Sequence, residues 1–143
     1  MDCMFELFEH QADVGVRGIG RSWEEAFQET AKALFSIMVR IERVKHVHPV
    51  RVQVRAPDLG ALLVKFLNAL LVARDKKGMV FSAFDVVLTQ GKEDWALTCT
   101  ARGEKLNVVR HEPGTEVKAA SYSELVLKKT GAKEFLAQCI VDV

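Results

Sequence analysis

The stretch Val50-Arg51-Val52-Gln53-Val54-Arg55-Ala56-Pro57-Asp58-Leu59-Gly60-Ala61-Leu62-Leu63-Val64-Lys65-Phe66-Leu67-Asn68-Ala69-Leu70-Leu71 changes its hydrophobic period halfway along. As far as Arg55, valines alternate with polar residues, the period of two that marks a half-buried strand. Beyond Pro57-Asp58, Leu59, Leu62, Leu63, Phe66, Leu67, Leu70 and Leu71 recur at helical spacing and form a wide apolar stripe ending near Gly78. A strand that presents one apolar face, followed at once by a helix with a broad apolar stripe, calls for a layered α+β core.

Outward from this segment the pattern continues in both directions. Toward the N-terminus, Ser22 starts another helix as N-cap with Glu25 at the capping-box position, and Trp23, Phe27, Ala31, Leu34 and Met38 follow on one face. Before it, residues 3–9 and 13–19 read as two short strands of a hairpin, with Gly15, Gly18 and Gly20 allowing close backbone approach. Toward the C-terminus, segments near 80–90, 94–102, 106–110, 116–128 and 134–142 are rich in β-branched and aromatic residues and are separated by Gly91, Gly103, Gly114 and Gly131. The order ββαβα followed by a β meander predicts one α+β domain over residues 1–143, with largely antiparallel sheet and two main helices.

Composition narrows the function classes. A chain of 143 residues suits one domain, and 49% hydrophobic against 27% charged residues is ordinary globular usage. Twenty basic and 19 acidic residues leave a net charge of +1, which argues against direct RNA binding through a strong overall field. Cys3, Cys99 and Cys139 are odd in number and include no CxxC pair, so neither a disulfide framework nor a thiolate zinc site is expected, and a reducing, cytoplasmic setting fits. The N-terminal residues carry acids where a signal peptide needs a basic start. The longest apolar stretch, Leu59 to Ala73, is interrupted by Lys65 and Asn68 and falls short of the roughly 20 residues of a membrane span, so no membrane association is expected.

Catalytic motifs are lacking. Gly15-Val16-Arg17-Gly18-Ile19-Gly20 has the wrong spacing for a dinucleotide or phosphate loop, and neither HExxH nor GxSxG occurs. No nucleophile and base stand at a telling spacing, so no catalytic residue is assigned and the protein is not expected to be an enzyme. His46 and His48 read as a solvated edge. In Glu9-His10-Gln11-Ala12-Asp13, His10 and Asp13 read locally as turn caps. Asp142 closes a largely apolar strand in which Leu136, Gln138, Ile140 and Asp142 share one face, and taken alone it reads as a solvated acid near a terminus. Chemically, Asp13, Asp142, the main-chain oxygens of Val143 and water would suit calcium or magnesium.

The order of these residues resembles the archease family. Phe8-Glu9-His10-Gln11-Ala12-Asp13-Val14-Gly15 is similar to that family's opening motif, in which His10, Ala12 and Asp13 match. Gly103-Glu104, Arg110-His111 and Glu116-Val117-Lys118-Ala119-Ala120-Ser121-Tyr122 resemble its second block, and Ile140-Val141-Asp142-Val143 its terminal pattern. Glu9, Gln11, Ser121 and Ser123 depart from the usual residues. The resemblance implies an accessory protein that activates a tRNA-splicing RNA ligase by promoting its guanylylation and multiple turnover. It also implies a divalent cation held by Asp13, Asp142 and Val143, with calcium favoured over magnesium or manganese. Lys118 matches the motif lysine and, with His10, becomes a candidate for ligase contact or for support of the cation. A general chaperone or interaction module for RNA-processing enzymes is the alternative reading. Neither reading sets an oligomeric state.

Overall fold

The computed structural model describes residues 3–10 and 12–143. In chain order these form β1 (Met4–His10), β2 (Asp13–Gly20), α1 (Trp23–Met38), a 3-10 turn (Ile41–Arg43), β3 (His48–Ala56), α2 (Leu59–Lys77), β4 (Met79–Gln90), β5 (Trp95–Lys105), the four-residue α3 (Val108–His111), β6 (Ala119–Ala120), β7 (Val126–Gly131) and β8 (Glu134–Asp142). The α+β reading holds, with two main helices and antiparallel pairing throughout the described strands.

The strands make two sheets. One runs β1-β2-β8-β6, with β7 also paired to β8, and the other runs β3-β5-β4. The expected C-terminal meander is therefore divided: β4 and β5 belong to the second sheet, while β6, β7 and β8 return to the first. Two of its segments also differ in kind. Residues 106–110, rich in valine, turn into α3 because the Asn107 side chain accepts from Arg110 N at 2.9 Å, an N-cap that offers this backbone a helical alternative to the ladder. Residues 116–128 hold only two residues of β6 and the start of β7. From Ala120 to Val126 the chain advances six residues while their partners on β8, Val141 and Gln138, are three apart, so three residues loop out.

Both main helices begin as the sequence predicts. Ser22 Oγ accepts from Glu25 N at 3.1 Å, although the Glu25 carboxylate reaches back to Arg21 N (2.8 Å) rather than to the cap residue itself. Asp58 accepts from Ala61 N at 2.8 Å, and α2 ends on Gly78 in the left-handed conformation (φ 62°) with Arg74, Lys76 and Lys77 in its last turn, where cations favour the helix dipole. Rings join the layers: Phe27 of α1 stacks on Phe66 of α2 at 6.3 Å, and Phe35 meets Phe81 and Phe84 of β4 at 5.5 and 5.7 Å. These side chains are buried in one core with Leu62, Leu63, Leu67 and Leu70.

Helix α1 can lie directly on the first sheet because β2 carries a glycine under it. A Cβ at Gly18 would stand 2.1 Å from Ala26 O and 2.4 Å from Thr30 N, both backbone atoms that cannot swing aside. Thr30 Oγ1 adds a bond to Ala137 O of β8 at 3.3 Å. Gly18→Ala is therefore expected to lower the unfolding free energy by about 2 kcal/mol or more, read as a drop in the denaturation midpoint. An unchanged midpoint would mean that α1 is not seated on β2 in this way.

Candidate functional site

Strand β2 pairs with β8 in a register that runs from Gly20 opposite Phe135 to Val14 opposite Val141. One step further, this register sets Asp13 opposite Asp142. On the other side of β2, Asp13 pairs with His10 of β1, and on the other side of β8, Asp142 pairs with Ala119 of β6. His10, Asp13 and Asp142 thus form a cross-strand row at one end of the sheet, and the Lys118 N–H donates to Asp142 O at 2.8 Å. Three stretches far apart in sequence bring His10 and Asp13, Lys118, and Asp142 with Val143 to one edge.

Strand alternation places this row on the face away from α1. The row four residues in, on the same face, is Glu6–Arg17–Gln138, in which Arg17 donates to Glu6 at 3.2 Å and to Gln138 Oε1 at 2.8 Å. Between the two rows Phe8 lies over Gly15, whose absent side chain makes room for the ring: a Cβ there would sit 2.2 Å from it. Gln138 in turn donates to Glu124 O at 3.1 Å, and the Glu124 carboxylate lies 3.8 Å from His10 Nε2. Glu124, at φ 51°, is one of two non-glycine residues in the left-handed region among the described residues, a conformation that carries a steric cost. Nothing in its sequence context marked Glu124, because its place depends on the loop-out between β6 and β7.

Asp13 is half-buried, Asp142 and Lys118 are exposed, and Val143 is half-buried. Directly opposed residues of an antiparallel pair hold their Cβ atoms about 5 Å apart, close enough for two carboxylates to share one ion. Among the described residues neither aspartate is compensated by an ion pair. No cluster of three or more His, Cys, Asp or Glu side chains suited to a metal occurs among the described residues. Two carboxylates with main-chain oxygen near them would offer an all-oxygen set, which suits a hard cation rather than zinc. Thiolate ligation has no support either, since burial pushes the Cys99 and Cys139 thiols up to about 12.

The Gly103-Glu104 and Arg110-His111 pairs form a separate structural clasp. Glu104 accepts from Lys45 N (2.9 Å), Arg110 (2.7 Å) and His111 Nε2 (2.9 Å). His111 Nδ1 accepts from Asn107 N at 2.9 Å, which fixes the ring proton on Nε2, facing the carboxylate. The Lys45 N–H above all, with His111 and Arg110, holds the Glu104 carboxyl down at about 2. Gly103 belongs here for a steric reason, since a Cβ would fall 1.8 Å from Val80 O. His46 is exposed, as expected, but is tied to Ser82 Oγ at 3.0 Å.

The fold and this edge define a class: a small α+β protein whose chemistry-bearing residues gather at one sheet end. Comparison with known proteins sharpens the class. The model of the Archease protein family matches residues 5–143. The chain is 40% identical to "Protein archease" of Pyrococcus abyssi over 139 residues, covering 97% of this chain and 98% of that one. It is 34% identical to the protein of the same name from Methanosarcina mazei, covering 97% and 95%. The solution structure of Methanobacterium thermoautotrophicum protein 1598 superposes with a TM-score of 0.85 at 31% identity, covering 97% of this chain and 98% of that one. A Thermotoga maritima archease, described as a possible chaperone, shares the fold at TM-score 0.53 and 17% identity, with 96% of each chain covered. The chain belongs to the archease family. No described helix is long and apolar enough to cross a membrane.

The clasp makes a pH prediction. Glu104 is held below its ordinary value of 4.5, so its contribution to stability is complete above about 4.5 and is lost as pH falls toward about 2. Glu104→Gln should be less stable than the parent near neutral pH, and the gap in melting temperature should close on acidification through that window. A gap independent of pH would show that the carboxylate charge is not what the clasp uses.

Proposed function

We propose that this protein is an accessory factor that activates a tRNA-splicing RNA ligase, promoting its guanylylation and multiple turnover through a divalent cation held at Asp13, Asp142 and Val143. The observation that supports the reading is the β2–β8 register, which ends at Val14 opposite Val141 and whose continuation by one residue would set the two aspartates opposite one another. A cation between them would be held by both carboxylates at once. Calcium suits an irregular, partly hydrated oxygen set better than magnesium, which demands near-octahedral geometry; manganese also accepts carboxylate and water.

In this reading the loaded edge docks at the ligase active site. Lys118, exposed and bonded through its main chain to Asp142, meets a phosphate or an acidic group there, and His10, beside Glu124, supports the edge. The protein's setting is cytoplasmic, in keeping with its free cysteines.

The test is guanylylation of the cognate ligase under limiting GTP, followed by multiple-turnover ligation. Folded Asp13→Ala and Asp142→Ala proteins are expected to lose at least tenfold of the activation, a loss equivalent to about 1.4 kcal/mol. Activation equal to that of the parent would rule this mechanism out. The chaperone alternative makes the opposite forecast: suppression of aggregation of unrelated clients, seen by light scattering, that survives both substitutions.

A further inference from the structure

Strand β6 is too short to hold itself. It has two residues, pairs on one side only with β8, and would leave the other side of its backbone without a ladder. That side is met by a side chain. Asn68 of α2 donates from Nδ2 to Ala120 O (3.2 Å) and accepts at Oδ1 from Ala120 N (2.8 Å), so one amide supplies both bonds that a neighbouring strand would have made. Arg74, one helical face further along α2, donates to Val117 O at 3.2 Å. Between these two anchors lies Lys118, whose N–H reaches Asp142 O.

We infer that Asn68 is a positioning residue for the cation-bearing edge, locking β6 in register with β8 and thereby fixing the main chain that carries Lys118 against Asp142. Asn68 is itself immobilised, because its helix neighbours Leu67, Leu70 and Leu71 are buried in the core. The helix at the centre of the molecule thus sets the place of a surface edge. This also explains why a polar amide interrupts the apolar stripe of α2: its hydrogen-bonding capacity is used on Ala120 instead of water. The inference rests on the proposed cation site for its consequence, though not for the clamp itself.

The experiment compares the parent with Asn68→Leu, which keeps the side-chain volume but makes neither bond, and with Asn68→Asp, which keeps only the acceptor toward Ala120 N. Hydrogen exchange reads the clamp directly. In Asn68→Leu the Lys118 and Ser121 amides, which bond to Asp142 O and Ile140 O, should exchange about tenfold faster or more, with the amides between β2 and β8 unchanged. Calcium titration reads the consequence: affinity should fall about tenfold in Asn68→Leu and by less in Asn68→Asp, with any fall in the melting temperature of the calcium-free protein too small to unfold it at the temperature of the titration. A purely structural residue would move the melting temperature and leave calcium affinity alone, and that result overturns the inference. Unchanged exchange at Lys118 and Ser121 overturns it as well. If the parent binds no calcium, the cation reading fails, and the exchange result alone then decides whether Asn68 sets the register of β6.

Discussion

The pairing of β2 with β8 is the constraint on which the rest depends. It joins the first twenty residues to the last ten, forms the middle of the larger sheet, and provides the floor on which α1 lies. Because side chains alternate with a period of two, one register decides two things together: which residues face the helix and which pair stands opposed at the sheet end. A slip of β8 by one residue against β2 would turn Ala137 and Cys139 out of the core and would move Asp142 away from Asp13. Burial of those apolar residues therefore holds the strands that carry the acids in register, and the proposed edge takes its geometry from the core.

The two helices complete this arrangement in different ways. Helix α1 seats on the sheet by close backbone approach at Gly18 and is joined to α2 and β4 by aromatic contacts. Helix α2 backs the smaller sheet and extends two polar arms, Asn68 and Arg74, to the segment carrying Lys118. The Glu104–His111–Arg110 clasp anchors the start of that same segment, with the His111 carbonyl receiving Arg40 N at 2.8 Å. Residues 112–118 thus carry no helix or strand yet have defined attachments at both ends.

What could be read from sequence follows from how local each determinant is. The strand at 50–55, the cap at Ser22, the helix start after Pro57-Asp58, the stop at Gly78 and the last strand over 134–142 all rest on periodicity or on contacts within four residues, and all stand in the structure. Valines at 108 and 109 suggested a strand, and the tertiary anchoring of His111 to Glu104 turned them into a helix. The meander was mistaken in its connectivity because nothing local says that the chain after β5 crosses to another sheet. The site shows the same division. Asp13 and Asp142 each had an ordinary local explanation, and only the order of motifs across the whole chain linked them; the β2–β8 register brings their strands side by side at that end. Glu124 was invisible, since its position depends on a three-residue loop-out, whereas Asn68 left a trace as a polar break in an apolar stripe.

The most direct test of the central claim is to locate the cation. Crystals grown or soaked with manganese, a carboxylate-seeking ion with a measurable anomalous signal, should show one strong anomalous peak between the carboxylates of Asp13 and Asp142 and within coordination distance of Val143 oxygen. The peak should vanish in Asp142→Ala crystals of the same form. A fully occupied manganese site elsewhere on the molecule, with ordered and unbridged side chains at Asp13 and Asp142, would contradict the account.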